Sequence, residues 1–134
     1  MSEADVYKSL LAVLHRAQDS EDKKLQIEVY FKLAQYHYNN SNFEKAKLPL
    51  LNILKINDEH PNVYYYLALV EINKNNYEKA IEYLKKELKN NPLNEDAKLL
   101  KEKLTIKSNF PLVTIVIFLL NLLTFMLIYP EISF

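Results

Sequence analysis

The chain of 134 residues contains no cysteine, no glycine and no tryptophan. Without cysteine, disulfides and thiolate metal sites are excluded. Without glycine, so are the loops that cradle phosphates, whose tight turns need a residue lacking a Cβ. The nucleophile elbow of the serine hydrolases goes with them, because glycines flank its serine. Net charge is missing too. Seventeen basic and 17 acidic side chains cancel, so bulk electrostatics favours neither nucleic acid nor a strongly acidic partner. No basic stripe interleaved with aromatics appears, and nucleic acid is not an expected partner. The start, MSEADVYKSLLAVLHRAQ, has no basic region leading into an apolar stretch and does not read as a signal peptide.

The residues that remain display little chemistry. His15, His37 and His60 fall on different predicted elements, without the spacing of three or four that would bring metal ligands onto one helical face. Asp58–Glu59 and Glu95–Asp96 precede predicted helices, where negative charge complements the helix dipole. They read as capping groups, not as an acid–base pair. The expectation is a protein that is not an enzyme, with no cofactor and no metal.

What the chain does contain is a repeat. YFKLAQYHYNNSNFEKAKLPLLNILKIND and YYYLALVEINKNNYEKAIEYLKKELKNNP align at a spacing of 34 residues. Tyr30, Leu33, Ala34, Phe43, Ala46 and Leu50 fall over Tyr64, Leu67, Ala68, Tyr77, Ala80 and Leu84. Two antiparallel helices approach closely only where small side chains meet, and Ala34 with Ala46, and Ala68 with Ala80, supply those places. The NNSN and NKNN stretches suit the turns, since Asn tolerates left-handed backbone and caps helix starts. Pro49, inside the second helix of the first unit, predicts a kink or a shifted helix boundary.

This pattern resembles the tetratricopeptide repeat, in which a large aromatic, Leu and a small residue are followed by Ala, a bulky residue and a closing Pro. Pro92 supplies the closing proline of the second unit, and Asp58 stands there in the first. Departures are Ala for the small glycine, and His37 and Glu71 where the family has aromatics. The resemblance spans about 27–60 and 61–94. Val6, Leu10, Val13, Leu14 and Ala17 make one apolar face, predicting an opening helix over 3–16. Ala97, Leu100 and Leu104 predict a closing helix over 95–106, the polar-faced terminal element that a repeat stack needs. Residues 1–107 thus form one all-α domain of antiparallel helix hairpins with flanking helices.

The resemblance implies a concave groove lined by the first helix of each pair. Carried over, it takes Glu28, Phe31, Gln35 and Tyr38 from the first unit, and Asn62, Tyr65, Leu69, Ile72 and Asn73 from the second. Such a surface fits a protein or peptide partner presenting apolar anchors, with amides to bond its backbone. Phe31 and Tyr65 stand where clamps for acidic chaperone tails need polar or basic groups, so that mode of docking is not implied. The opening helix either leaves this groove free or fills it.

The chain then finishes in an apolar run. Leu112–Tyr129 is 18 residues without charge, broken only by Thr114, Asn121 and Thr124. As a helix it covers roughly 27 Å at about 1.5 Å per residue, close to the ~30 Å hydrocarbon core of a bilayer. Pro111 and Pro130 bracket it, with Phe110 and Tyr129 at interfacial positions. Residues 108–111 are expected to be a linker, 112–129 a transmembrane anchor inserted after synthesis, and 130–134 a short tail. Lys98, Lys101, Lys103 and Lys107 precede the span and only Glu131 follows, which places the N-terminal domain in the cytoplasm. Thr114, Asn121 and Thr124 share roughly one face and offer contacts for a homo-oligomer or another membrane helix. The domain plan resembles the mitochondrial fission receptor family. That family carries basic residues after the span, whereas PEISF carries none, so a bacterial cytoplasmic membrane and an organelle outer membrane both stay open. The expected function is an adaptor or scaffold recruiting a partner to the cytoplasmic face of a membrane. The alternative is a structural subunit assembled through the span.

Overall fold

The computed structural model describes residues 2–132, without the side chains of 109–111. The expectations placed on Phe110 and Pro111, and the last two residues of the tail, lie outside the described residues. Six helices follow one another: α1 (Glu3–Asp19), α2 (Lys23–Asn39), α3 (Phe43–Ile56), α4 (Val63–Asn73), α5 (Tyr77–Asn90) and α6 (Glu95–Ile128). Neighbours in sequence are neighbours in space, the arrangement of stacked helix hairpins. The all-α class and the repeat architecture are as the sequence implies.

Local chemistry explains where the helices start and stop. Ser2 and Asp5 form a reciprocal capping box at α1, which satisfies two backbone donors that the first turn leaves open. The Ser2 hydrogen bonds hold the Asp5 carboxyl below its usual range. Asp22 caps α2 through Leu25 N–H at 3.0 Å, and Asn94 caps α6 through Ala97 N–H at 3.0 Å. Three turns, after α1, α2 and α4, share one geometry. In each, a residue in the left-handed region (Glu21, Ser41 or Asn75, φ 55–60°) is followed by a residue whose N–H reaches back five positions. Asp22 N–H donates to Ala17, Asn42 to His37 and Asn76 to Glu71, at 2.9 Å each. This is the Schellman closure usually built on glycine, made here without any.

The small residues do what the repeat pattern asks. Ala34 and Ala46 are buried where α2 meets α3, as are Ala68 and Ala80 where α4 meets α5. Around them lie two apolar clusters. One joins α2, α3 and the inner face of α4, and Tyr7, Leu10, Val13 and Leu14 of α1 pack on it. The other joins α4 and α5 to Ala97, Leu100 and Leu104 of α6. Leu50, Ile53, Leu67 and Leu84 are sealed from solvent, so trimming any of them to Ala costs about 2–5 kcal/mol.

Two acidic side chains sit inside this core. Glu71 accepts from Lys47 Nζ at 2.5 Å and Asn76 Nδ2 at 3.1 Å, with Lys74 Nζ at 3.8 Å; Lys74 also pairs with Glu44. Glu71 thereby ties α3 to the α4–α5 turn. Glu87 accepts from Asn62 N–H at 2.9 Å, Asn94 Nδ2 at 3.1 Å and Asn91 Nδ2 at 3.3 Å, joining α5 to the starts of α4 and α6. A buried carboxylate is tolerable only with such partners.

Three details differ from expectation. α1 extends three residues past 16, and α2 begins at Lys23, ahead of the repeat alignment; the Glu21 turn sets both limits. α3 runs through the buried Pro49, so of the two outcomes expected there the shifted boundary does not occur, because packing around the ring outweighs the one backbone bond a proline removes. The backbone is helical across 108–111, where a linker was expected, so the closing helix and the apolar run are one helix. The helix continues although Ser108, Asn109 and Pro111 are residue types that favour turns.

Candidate functional site

The repeat stack leaves a cleft of about 500 Å³ between α2 and α4. Phe31, Gln35 and Tyr38 form the α2 wall, and Tyr66 and Leu69 the α4 wall. Ala46 and Leu50 of α3 make the floor, while His60, Pro61 and Asn62 close the end nearest the α3–α4 loop. The walls stand apart because α3 wedges between them: in a stacked hairpin the second helix of one unit separates the first helices of two.

The lining is aromatic, aliphatic and amide. Among the described residues, no Asp, Glu, Lys or Arg lines it. Phe31 meets Tyr66 edge-on at 5.8 Å and 69°, and lies 5.4 Å from the His60 ring. Such aromatic pairs hold their geometry beyond simple area burial. The His60 Nδ1 lies 3.0 Å from the Pro61 carbonyl; as a donor there, it leaves Nε2 to accept a bond. At the opposite end, Asn73 Nδ2 donates to the Tyr38 hydroxyl at 2.7 Å and to the Leu69 carbonyl at 2.9 Å. That amide clips the two walls together. Tyr66 is nearly half exposed, so its ring is both placed and available.

The expected groove residues fall into three groups. Phe31, Gln35, Tyr38, Asn62 and Leu69 come together in the cleft, and Asn73 stands at its rim. Glu28 lies apart, exposed and paired with Lys32 at 2.8 Å, which lowers its carboxyl pKa through the Lys32 hydrogen bond and charge. Tyr65 and Ile72 turn the other way and pack on the cluster shared by α4, α5 and α6. Burial, then the nearby Asp96 charge, pushes the Tyr65 phenol up. The wall residue missed was Tyr66, and His60 and Pro61 at the end of the cleft were missed with it. Each first helix has two flanks, one facing the unit before and one the unit after. A shift of 34 residues carries Phe31 onto Tyr65, which faces the next seam, and that seam is closed by α6. Tyr66 faces back toward Phe31. The YYY run marked an aromatic stretch, and only its helical phase against α2 selects the third tyrosine.

The opening helix stays out of the cleft. α1 packs on the far side of α2, with Tyr7 stacked on Tyr36 at 5.1 Å and edge-on to His37 at 5.4 Å, and no α1 residue lines the cleft. The His37 ring is partly buried in this contact, and burial, then the Lys45 charge, depresses its pKa.

The second candidate surface is the distal part of α6. Residues 112–128 are exposed without exception, and this is a helix long and apolar enough to cross a membrane. Thr124 Oγ1 donates to the Asn121 carbonyl at 2.8 Å, so its polarity is turned back onto its own helix. The Asn121 side chain is exposed at mid-span, and Thr114 is exposed nearer its start.

No curated protein matches the chain. The family profile described as "Anaphase-promoting complex, cyclosome, subunit 3" matches residues 5–87, from the first turn of α1 to the last turn of α5. A profile that covers these five helices and more than half of the sequence shows the family: the chain belongs to this tetratricopeptide-like group of helical repeats.

Proposed function

We propose that the protein is a membrane-tethered adaptor, which holds a protein or peptide partner in the cleft between α2 and α4 at the cytoplasmic face of a membrane. The fold is an interaction module and typically non-catalytic. The observation that carries the reading is the cleft: open, uncharged, walled by Phe31 and Tyr66, and not filled by the opening helix. An apolar side chain of a partner seated between those rings, flanked by the Gln35 and Asn62 amides, matches the usual pattern of a buried anchor with a polar rim. Tethering is supported by α6. Exposed Leu, Ile, Val, Phe and Met side chains fill Leu112 to Ile128 apart from Thr114, Asn121 and Thr124, far beyond the apolar patch that soluble proteins leave uncovered. The lysines before the span favour a cytoplasmic domain. A plan of two repeats and an apolar terminal helix, which resembles the fission receptor family, fits the same reading.

A second reading is favoured by two observations. The matching family is named for a subunit of a complex, and Asn121 places an amide in the middle of the apolar stretch, where it is costly without a partner. On this reading the span, through Thr114, Asn121 and Thr124, carries self-association or assembly with another membrane helix. One such bond contributes only about 0.6–2 kcal/mol, enough to bias association.

A pull-down from detergent extract separates the two. The adaptor loses its partner on Tyr66→Ala and keeps it on exchange of residues 112–129 for polyleucine. The subunit behaves in the opposite way. Leu99→Ala, on the exposed face of α6, serves as the control that leaves the cleft wall in place. Retention of every partner by both variants would falsify both readings.

A further inference from the structure

The helix directions assign every turn to one of two ends of the domain. Tyr7 at the start of α1 meets Tyr36 near the end of α2. Asn73 at the end of α4 bonds Tyr38 near the end of α2, and Lys74 pairs with Glu44 in the first turn of α3. Lys107 of α6 lies over the ring of Tyr77, the first residue of α5, at 4.3 Å, and donates to its hydroxyl at 3.2 Å. The Tyr77 hydroxyl in turn donates to Asn75 Oδ1 at 3.0 Å. These contacts gather the α2–α3 turn and the α4–α5 turn at one end, and clip the latter to α6 where the helix leaves the domain. The opposite end holds the α3–α4 loop and the start of α6, joined through Asn62, Glu87 and Asn94.

Beyond Lys107 the helix continues without a break, and Leu112 is five residues further on, about 8 Å along the axis. The headgroup layer on each side of the hydrocarbon core is roughly 5–8 Å deep. The α4–α5 turn is thus carried to the depth of the headgroups by a continuous helix. In its composition Asn75 and Tyr77 are polar and uncharged, Lys74 is paired with Glu44 and Glu71, and Lys103 and Lys107 add cations on α6.

Resting on the membrane reading above, we infer that the α4–α5 turn, with Lys103 and Lys107, is a lipid-facing surface that binds headgroup phosphates. The domain then stands upright on the membrane, with the Phe31–Tyr66 cleft opening sideways and clear of lipid. Asn75 Nδ2 and the Lys103 and Lys107 ammonium groups donate to phosphate oxygens, and the continuous α6 sets the height.

A chain without cysteine allows a clean test. The full-length protein is made as Glu78→Cys, in the first turn of α5, and as Leu93→Cys, in the α5–α6 loop. Each is labelled with a fluorophore and reconstituted into phosphatidylcholine vesicles that carry a nitroxide on some headgroups. The two positions lie at opposite ends of α5, about 20 Å apart in height. The inference expects fluorescence lost at position 78 and retained at position 93. Equal quenching at both positions in protein that floats with the vesicles overturns the upright lipid contact and leaves the membrane reading standing. Protein left in the aqueous fraction overturns the membrane reading, and the inference with it.

Discussion

Replacing Lys47 by Met keeps most of the apolar stem and removes the ammonium from Glu71. In the native domain Glu71 is 1% exposed, with Lys47 Nζ at 2.5 Å. The variant leaves it Asn76 Nδ2 at 3.1 Å and Lys74 at 3.8 Å. Breaking a buried ion pair from one side costs about 3–5 kcal/mol. The Lys47 side chain is 18% exposed and Lys74 stays, so the low end, about 3 kcal/mol, applies. For a domain of about 100 residues, that lowers Tm by roughly 12–24 °C. The loss depends on pH with a definite sign. Burial pushes the Glu71 pKa up, but the hydrogen bond and charge of Lys47, the charge of Lys74 and the Asn76 amide outweigh it and hold the carboxyl below 4.5. A depressed carboxylate contributes its stability above the unfolded pKa and loses it as pH falls through the folded value. In Lys47→Met burial meets less opposition, so the carboxyl takes up a proton more readily, and the gap to wild type narrows in acid. Thermal unfolding of the full chain in detergent, followed by far-ultraviolet circular dichroism from about pH 7 to about pH 4, reads this out. A variant melting within a few degrees of wild type, or a gap that does not change with pH, refutes the account. Lys47→Met/Glu71→Leu should recover part of the loss, since an apolar pair leaves no buried charge.

Glu21 holds a φ of 55°, which costs a residue with a Cβ roughly 1–2 kcal/mol. Glu21→Gly is expected to raise Tm by several degrees, and an unchanged or lower value counts against the turn geometry. Burial, then the Lys45 charge, depresses the His37 pKa, so folding favours its neutral form. Its contribution is complete above the unfolded pKa of about 6.5 and falls as acid protonates the unfolded chain first. His37→Phe should flatten the stability profile between about pH 7 and about pH 5, measured by denaturant midpoint. Ala80→Leu forces a larger side chain into a fully buried contact between α4 and α5; overpacking there costs about 1–3 kcal/mol. It should also move Tyr66 and weaken any cleft ligand, whereas Leu99→Ala on the exposed face of α6 should do neither.

Much of this molecule was legible in the order of its residues, because the signals are local or strictly periodic. The small pairs Ala34–Ala46 and Ala68–Ala80, and the apolar run from Leu112, each follow from spacing along one helix. The asparagine turns belong with them in part: NNSN and NKNN suit left-handed backbone, and Ser41 and Asn75 adopt it, but Asn42 and Asn76 stand at the starts of α3 and α5 without the expected side-chain capping bond. The Glu21 turn carried no comparable signal and appears only as the end of α1. The inner carboxylates also escaped notice: Glu87 stands on the apolar stripe of α5 beside Ala80 and Leu84, and only the Asn62 and Asn94 donors, from other helices, make that placement tolerable.

Sequence alone therefore determined the helices, their pairing and the apolar terminal stretch, since each depends on which side chains recur on one face. Tertiary structure alone decided that Tyr66 and not Tyr65 walls the cleft, that α1 leaves that cleft open, and that α6 closes the second seam. Those outcomes depend on the rotation of one helix against the next. That rotation is set by ridges packing into grooves across the stack, and no spacing within a single segment records it.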